Sequence, residues 1–148
     1  VHMDRTFRGL LAGMAAGLIM NLWNLADFYL LKITQIRFLD WAAVLITWSK
    51  PADSLATIFS FTIQLLWDGL LGILFAHLLV SITSRGIIIK SAYFSLMCWF
   101  IFIIIVNLFR VPFLSGVQSV PGAISNVFAV ILWGISLGFT LKRLDRPA

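Results

Sequence analysis

The chain has 148 residues, of which 61% are hydrophobic and 11% charged, with a mean hydropathy of +1.01. An ordinary soluble domain carries about 25% charged residues, and a soluble core of this length could not hide so much apolar surface. The net charge of +5 does not point to nucleic acid, because the basic residues sit at the ends of apolar segments, where membrane topology explains them.

Val1-His2-Met3 reads as a vector remnant before a native Met3 and is set aside. No cleaved signal peptide is expected, since the first hydrophobic segment is too long and lacks a small-residue cleavage site. That segment, Gly9 to Leu31, is the first predicted span. Gly9, Gly13, Gly17 and Asn21 recur every four residues, and Asn24, Asp27 and Phe28 continue the row. At about 100° per residue, all seven fall within roughly 120° of one helix face. Glycine inside a water-exposed helix costs about 1 kcal/mol against alanine. In lipid the same spacing lets a second helix approach backbone to backbone.

Residues 32 to 54 form the longest connection. Within it, Asp40 to Trp48 is apolar but too short to span, with Asp40 as the expected N-cap and Pro51 as the stop. Trp41, Leu45 and Trp48 share a face, and indole rings favour the headgroup level, so a helix lying flat in the interface is expected. A segment re-entering the bundle is the alternative. The second span runs from about Leu55 to Ser81 and holds two ionisable groups, Asp68 and His77. The third runs from Ile87 to Arg110 and is ended by Pro112. The fourth runs from Pro121 to Leu141, with proline in its first turn.

Four spans place both termini on one side. That side holds Arg5, Arg8, Arg85, Lys90, Lys142, Arg143 and Arg146, against Lys32, Arg37, Lys50 and Arg110 on the other. The positive-inside rule makes the richer side, and both termini, cytoplasmic. Small size and short loops point to a bacterial cytoplasmic membrane. The expected fold is an all-α integral membrane protein. It is a single-domain four-transmembrane-helix bundle, with a short interfacial helix between helices 1 and 2. The glycines Gly134 and Gly138 of the fourth span lie at the depth of Gly9, Gly13 and Gly17, so spans 1 and 4 are expected to meet there. Gly69 and Gly72 offer a similar contact on the second span.

Each span also carries a polar row that a bundle would turn inward, because hydrocarbon cannot satisfy these groups. Asp68 is the most informative, since an aspartate near a span centre costs about 2.5–3.5 kcal/mol on insertion scales. Left unpaired it is expected to be protonated. Asp68, Gln64, Asn21, Asn24, Asn107 and Asn126 form the expected ligand or ion cavity in the outer half of the bundle, with Asp27 and Arg110 at its mouth. The opposing reading treats the amides as interhelical glue worth about 1 kcal/mol or less each. His77 lies about 180° round the helix from Asp68 and roughly 13 Å along it, so the two are not a catalytic or metal pair. The lone Cys98 has no disulfide partner and no metal-ligand set.

No HExxH, CxxC, P-loop or GxSxG motif is present, and no stretch resembles a characterised family. Asp27 and Asp68 stand at different depths, which argues against an intramembrane aspartyl protease. An enzyme acting on lipid, which would need a lateral opening beside Asp68 or His77, stands as the third reading; no cofactor or metal is expected. The expected partners are the lipid bilayer and either a second copy or another membrane protein, because four helices are few for a transporter. The leading expectation is a polar intramembrane cavity that binds or passes a small solute or ion. The alternative is an accessory subunit with no site of its own.

Overall fold

A computed structural model of the chain describes residues 3–83, 85–116 and 118–145. Val1 and His2 of the expected vector remnant, and Arg146 of the basic tail, lie outside the described residues. Helix α1 spans Arg5–Ala26 and runs into a π-helical turn, Asp27–Leu31. Four more helices follow: α2 Phe38–Thr47, α3 Ser54–Ile82, α4 Ile87–Leu108 and α5 Val120–Leu144. There is no strand among the described residues. α1 with its π turn, α3, α4 and α5 contain 27, 29, 22 and 25 residues and are apolar enough to cross a membrane. At about 1.5 Å per residue even the shortest matches a hydrocarbon core of about 30 Å. The chain is thus membrane-embedded and all-helical, with a short apolar helix between the first two spans.

Local chemistry sets the helix ends. The π turn closes through Lys32 N–H to the Asp27 carbonyl (2.6 Å), with Lys32 in the left-handed region at φ 55°. Asp53 caps α3 by accepting from Ala56 N–H (2.7 Å), and Ser119 caps α5 by accepting from Gly122 N–H (3.3 Å). Lys90 Nζ donates to the Ile82 and Thr83 carbonyls (2.7 and 3.0 Å), which α3 leaves open at its last turn. α4 stops at Leu108, two residues before the expected end. Pro112 disfavours helix at Val111 and its ring would press on the Leu108 carbonyl; Arg110 turns left-handed at φ 50°.

The spans pack in the order α3, α1, α5, α4. Arg8 pairs with Asp145, which fixes both chain ends at one face of the bundle, here the terminal face. In a closed ring α3 and α4 would meet along their length, but they barely touch. In the terminal half Phe75 and Phe94 bridge them with ring centroids 5.1 Å apart. In the far half α2 fills the gap. It packs on α3, and its Phe38 and Trp41 reach Trp99 of α4 (5.6 and 5.3 Å), while Trp41 also reaches Phe102 (5.1 Å).

This corrects two expectations. Trp41 is 4% exposed whereas Leu45 and Trp48, one and two turns further along the same face, are 47% and 63% exposed, so that face is buried at its N-terminal end and open only at its C-terminal end. The gap between α3 and α4 draws Phe38, Leu39, Trp41, Ala43 and Val44 inward, and α2 is tucked into the bundle. The N-cap residue is Arg37, not Asp40. Asp40 sits three residues on and reaches back, its carboxylate accepting from Arg37 N–H (2.9 Å).

The glycine faces also pair otherwise than expected. Gly9, Gly13 and Gly17 face α3, where Gly69 and Gly72 await them. Gly134 and Gly138 face Ser91 and Ser95 of α4. α1 and α5 do touch, through Trp133 Nε1–H donating to the Gly13 carbonyl (3.2 Å), but without glycine on glycine. Each smooth face has found a small-residue partner of its own, and the two seams flank the α1–α5 contact.

Candidate functional site

The polar row of α1 fans across three neighbours. Residues three apart differ by about 300°, so Asn21, Asn24 and Asp27 step round the helix by roughly 60° each. Asn21 lies with α3, Asn24 meets α2, and Asp27 meets α5.

The α3 contact holds Asp68. A methyl group added at Gly17 would overlap the Asp68 carboxylate, and one at Gly13 would overlap the Asp68 backbone carbonyl. The glycine strip therefore makes the room in which this aspartate is buried, at 4% exposure. Gln64 Nε2 donates to Asp68 Oδ2 (3.1 Å) from one turn outward on the same helix. Asn21 Nδ2 donates to the Gly17 carbonyl (2.8 Å). The other amide oxygens, Asn21 Oδ1 and Gln64 Oε1, are buried and have no partner. No cation neutralises Asp68: the ion pairs among the described residues are Arg8–Asp145 and Arg37–Asp40. The cluster is rich in acceptors and poor in donors.

Further out, Asn24 Oδ1 accepts Phe38 N–H (2.8 Å), satisfying an orphan donor of the first turn of α2. Asp27 is fully buried. Its Oδ2 accepts from the Ser125 hydroxyl of α5, which in turn accepts from Trp23 Nε1–H (3.1 Å). Asp27 Oδ1 has no partner.

Three expected members stand elsewhere. Arg110 and Asn107 are exposed on the far end of α4. Asn107 Nδ2 donates to the Ile103 carbonyl (2.9 Å) and its Oδ1 accepts from Gly116 N–H (3.3 Å), so it holds the α4–α5 connection. Arg110 does not pair with Asp27, which turns inward to α5 and so forms no mouth with it. Asn126 is buried on α5, next to Ser125 and in one row with Val130, Gly134 and Gly138. His77 accepts or donates a hydrogen bond with Thr6 Oγ1 (3.0 Å) near the terminal face, well apart from Asp68.

Two clefts open at the far end. One of about 450 Å³ is lined by Tyr29, Arg37, Asp53, Ser54 and Thr57, among others. Arg37 there is held by Asp40 (2.8 Å) and by Tyr29 OH (2.8 Å), with Phe28 beneath it (5.4 Å). The hydrogen-bonded Asp40 carboxylate raises the Arg37 guanidinium above its ordinary value, against the opposing pull of burial. The other, about 250 Å³, lies between α4 and α5 beside Trp99, Ile103, Asn107, Gln118 and Val127. Neither cleft is lined by Asp68, Gln64, Asn21, Asn24, Asp27 or Asn126.

Sequence reasoning missed Ser125 and the Arg37–Asp40–Tyr29 group. A lone serine in an apolar helix carries no signal of its own. The Arg37–Asp40 spacing of three is legible in the sequence, but it does not by itself distinguish an N-cap at Asp40 from a carboxylate that reaches back to Arg37. No protein-family model, no curated protein and no solved structure matches the chain.

Proposed function

We propose that this is a small polytopic membrane protein that binds or passes a small cation, a proton included, at an intramembrane site centred on Asp68. The observation that carries the reading is the imbalance at the α1–α3 contact. A buried carboxyl with no cationic partner lies one turn from two buried amide oxygens that lack donors. Buried polar groups are normally paired, and intramembrane ionisable residues are costly unless they serve a site. Asp68, Gln64 and Asn21 form the site, and Asn24 and Asp27 continue it outward. Acceptors without donors favour a cation over an anion or an apolar solute. Four spans offer little enclosure, so a second copy of the chain is the natural partner. The charge distribution supports cytoplasmic termini, and the small size and short loops favour a bacterial cytoplasmic membrane.

An accessory subunit is the second reading. The observation favouring it is the closeness of α1 and α3, where backbone meets backbone at Gly13 and Gly72 and a bound solute has little room. Asp68→Asn separates the two. In proteoliposomes under a membrane potential, cation or proton uptake by the wild-type chain and its loss in Asp68→Asn, with unfolding temperature kept, is the expected result. An Asp68→Asn protein that differs only in thermal stability leaves the accessory reading in its place.

A further inference from the structure

The polar groups of α1 and α3 are distributed unevenly along the bundle axis. From Asp68 toward the far face they come in steps. Gln64 and Asn21 lie one turn outward, at 6% and 2% exposure. Asn24 follows three residues on at 1%, and Asp27 three further at 0%. Each step is about 4.5–6 Å along the axis, and on α1 each is also turned by about 60°, so the ladder winds from the α3 side past α2 toward α5. Three oxygens on this ladder, Gln64 Oε1, Asn21 Oδ1 and Asp27 Oδ1, are buried and have no donor. Toward the terminal face the picture reverses. Gly72 lies against Gly9 and Gly13, and a Cβ at Gly9 would stand 2.7 Å from Ile73 Cα and 2.8 Å from the Gly72 carbonyl oxygen. A Cβ at Gly69 would strike Leu10 Cδ1 at 2.6 Å. From Asp68 the next polar side chain of α3 in that direction, before the hydrogen-bonded His77, is none: residues 69 to 76 are Gly, Leu, Leu, Gly, Ile, Leu, Phe and Ala. That leaves about 13 Å without a polar rung.

We infer that Asp68 is reached by small monovalent cations from the far face only, along Asp27, Asn24, Asn21 and Gln64, and that the glycine seam closes the terminal side. The inference rests on the cation-binding reading and adds direction and route to it. The ladder's titratable groups are Asp68 and Asp27. α2 brings Asp40, already paired with Arg37; the spanning interior of α4 brings the exposed Tyr93 and the part-buried Cys98, and that of α5 brings none. Acceptors attract and desolvate a cation stepwise, whereas a backbone-tight apolar seam offers it nothing to exchange for water. A site open to one side binds and releases on that side unless the α1–α3 seam parts.

Silver ion tests this, because it is a small monovalent cation that captures thiols. The full chain carries Cys98→Ala and Asp68→Cys, in membrane vesicles of each orientation scored by a C-terminal tag. Brief pulses of silver nitrate in chloride-free buffer are followed by denaturation and maleimide labelling. Protection of the residue-68 thiol at least tenfold faster from the far face is expected, as is a tenfold slowing there by Asp27→Leu. Equal rates from both faces, or a faster rate from the terminal face, overturn one-sided access and leave cation binding at Asp68 standing. No protection from either face overturns both. An unchanged far-face rate in Asp27→Leu overturns the route. Should Asp68→Cys fail to accumulate, Asn21→Cys, one turn outward, is read by the same criteria.

Discussion

The molecule has two small-residue seams, and they are built differently. Between α1 and α3 both helices contribute glycine, and backbone lies across three of them: Gly72 and Ile73 across Gly9, the Asp68 carbonyl across Gly13 and the Gly9 carbonyl across Gly72, while Gly17 faces the Asp68 carboxylate and Gly69 the Leu10 side chain. Between α5 and α4 only α5 contributes glycine. Across Gly134 and Gly138 lie the hydroxyls of Ser95 and Ser91, with α4 backbone just behind. Those hydroxyls bond back to the Ala92 and Ile88 carbonyls of their own helix (2.7 and 2.9 Å), so the seam is held by packing alone. Only the first seam buries a carboxylate. The contrast teaches that a small-residue spacing marks a surface fit for close approach, while the partner decides whether that surface becomes a rigid lock or a yielding one.

The largest expected effect attacks the first seam. Gly13→Leu or Gly72→Leu forces backbone apart and is expected to cost about 3 kcal/mol or more, at the upper end for overpacking. Thermal unfolding in detergent reads it, and a loss under about 1 kcal/mol would mean the seam yields after all. The second seam is softer. Gly134→Ala is expected to cost about 1–3 kcal/mol, with part of the loss recovered by Ser95→Ala, since a hydroxyl is the nearest obstacle. A double-mutant cycle measures that coupling. Gly13→Ala has no comparable rescue, because no side-chain truncation removes a carbonyl.

Smaller effects sharpen the contrast between the halves of the bundle. Asn24→Leu removes the acceptor for Phe38 N–H and is expected to cost about 1–2 kcal/mol. Trypsin cleavage at Lys50 should quicken as α2 loosens; an unchanged rate would show that Trp41 and its aromatic neighbours suffice to hold α2. At the terminal face, Arg8→Gln breaks a partly solvated ion pair and is expected to cost less than about 1 kcal/mol, a difference that fades in high salt.

Much of the fold was legible before any coordinates. Four apolar stretches of spanning length, proline and glycine at their ends, and a short apolar segment after the first span follow from local chemistry alone. So did the burial of Asp68, Gln64, Asn21 and Asn24, because hydrocarbon tolerates such groups only inside a bundle. The helix partners were not legible. Gly9, Gly13 and Gly17 fit any smooth face at their depth, and depth alone made Gly134 and Gly138 look like the match. Asn107 and Arg110 likewise share the depth of the polar layer, but which way a residue at the end of a helix points depends on how α4 is rotated.

By itself, then, the order of residues determined the spans, the packing faces and the buried polar rows, because each depends on hydropathy and on the 3.6-residue period of one helix. Tertiary structure decided which faces meet, that α2 closes the gap left by α3 and α4, and that Asp27 turns to Ser125 rather than to Arg110. Those choices depend on rotation and crossing of helices already formed, and no single segment carries that information.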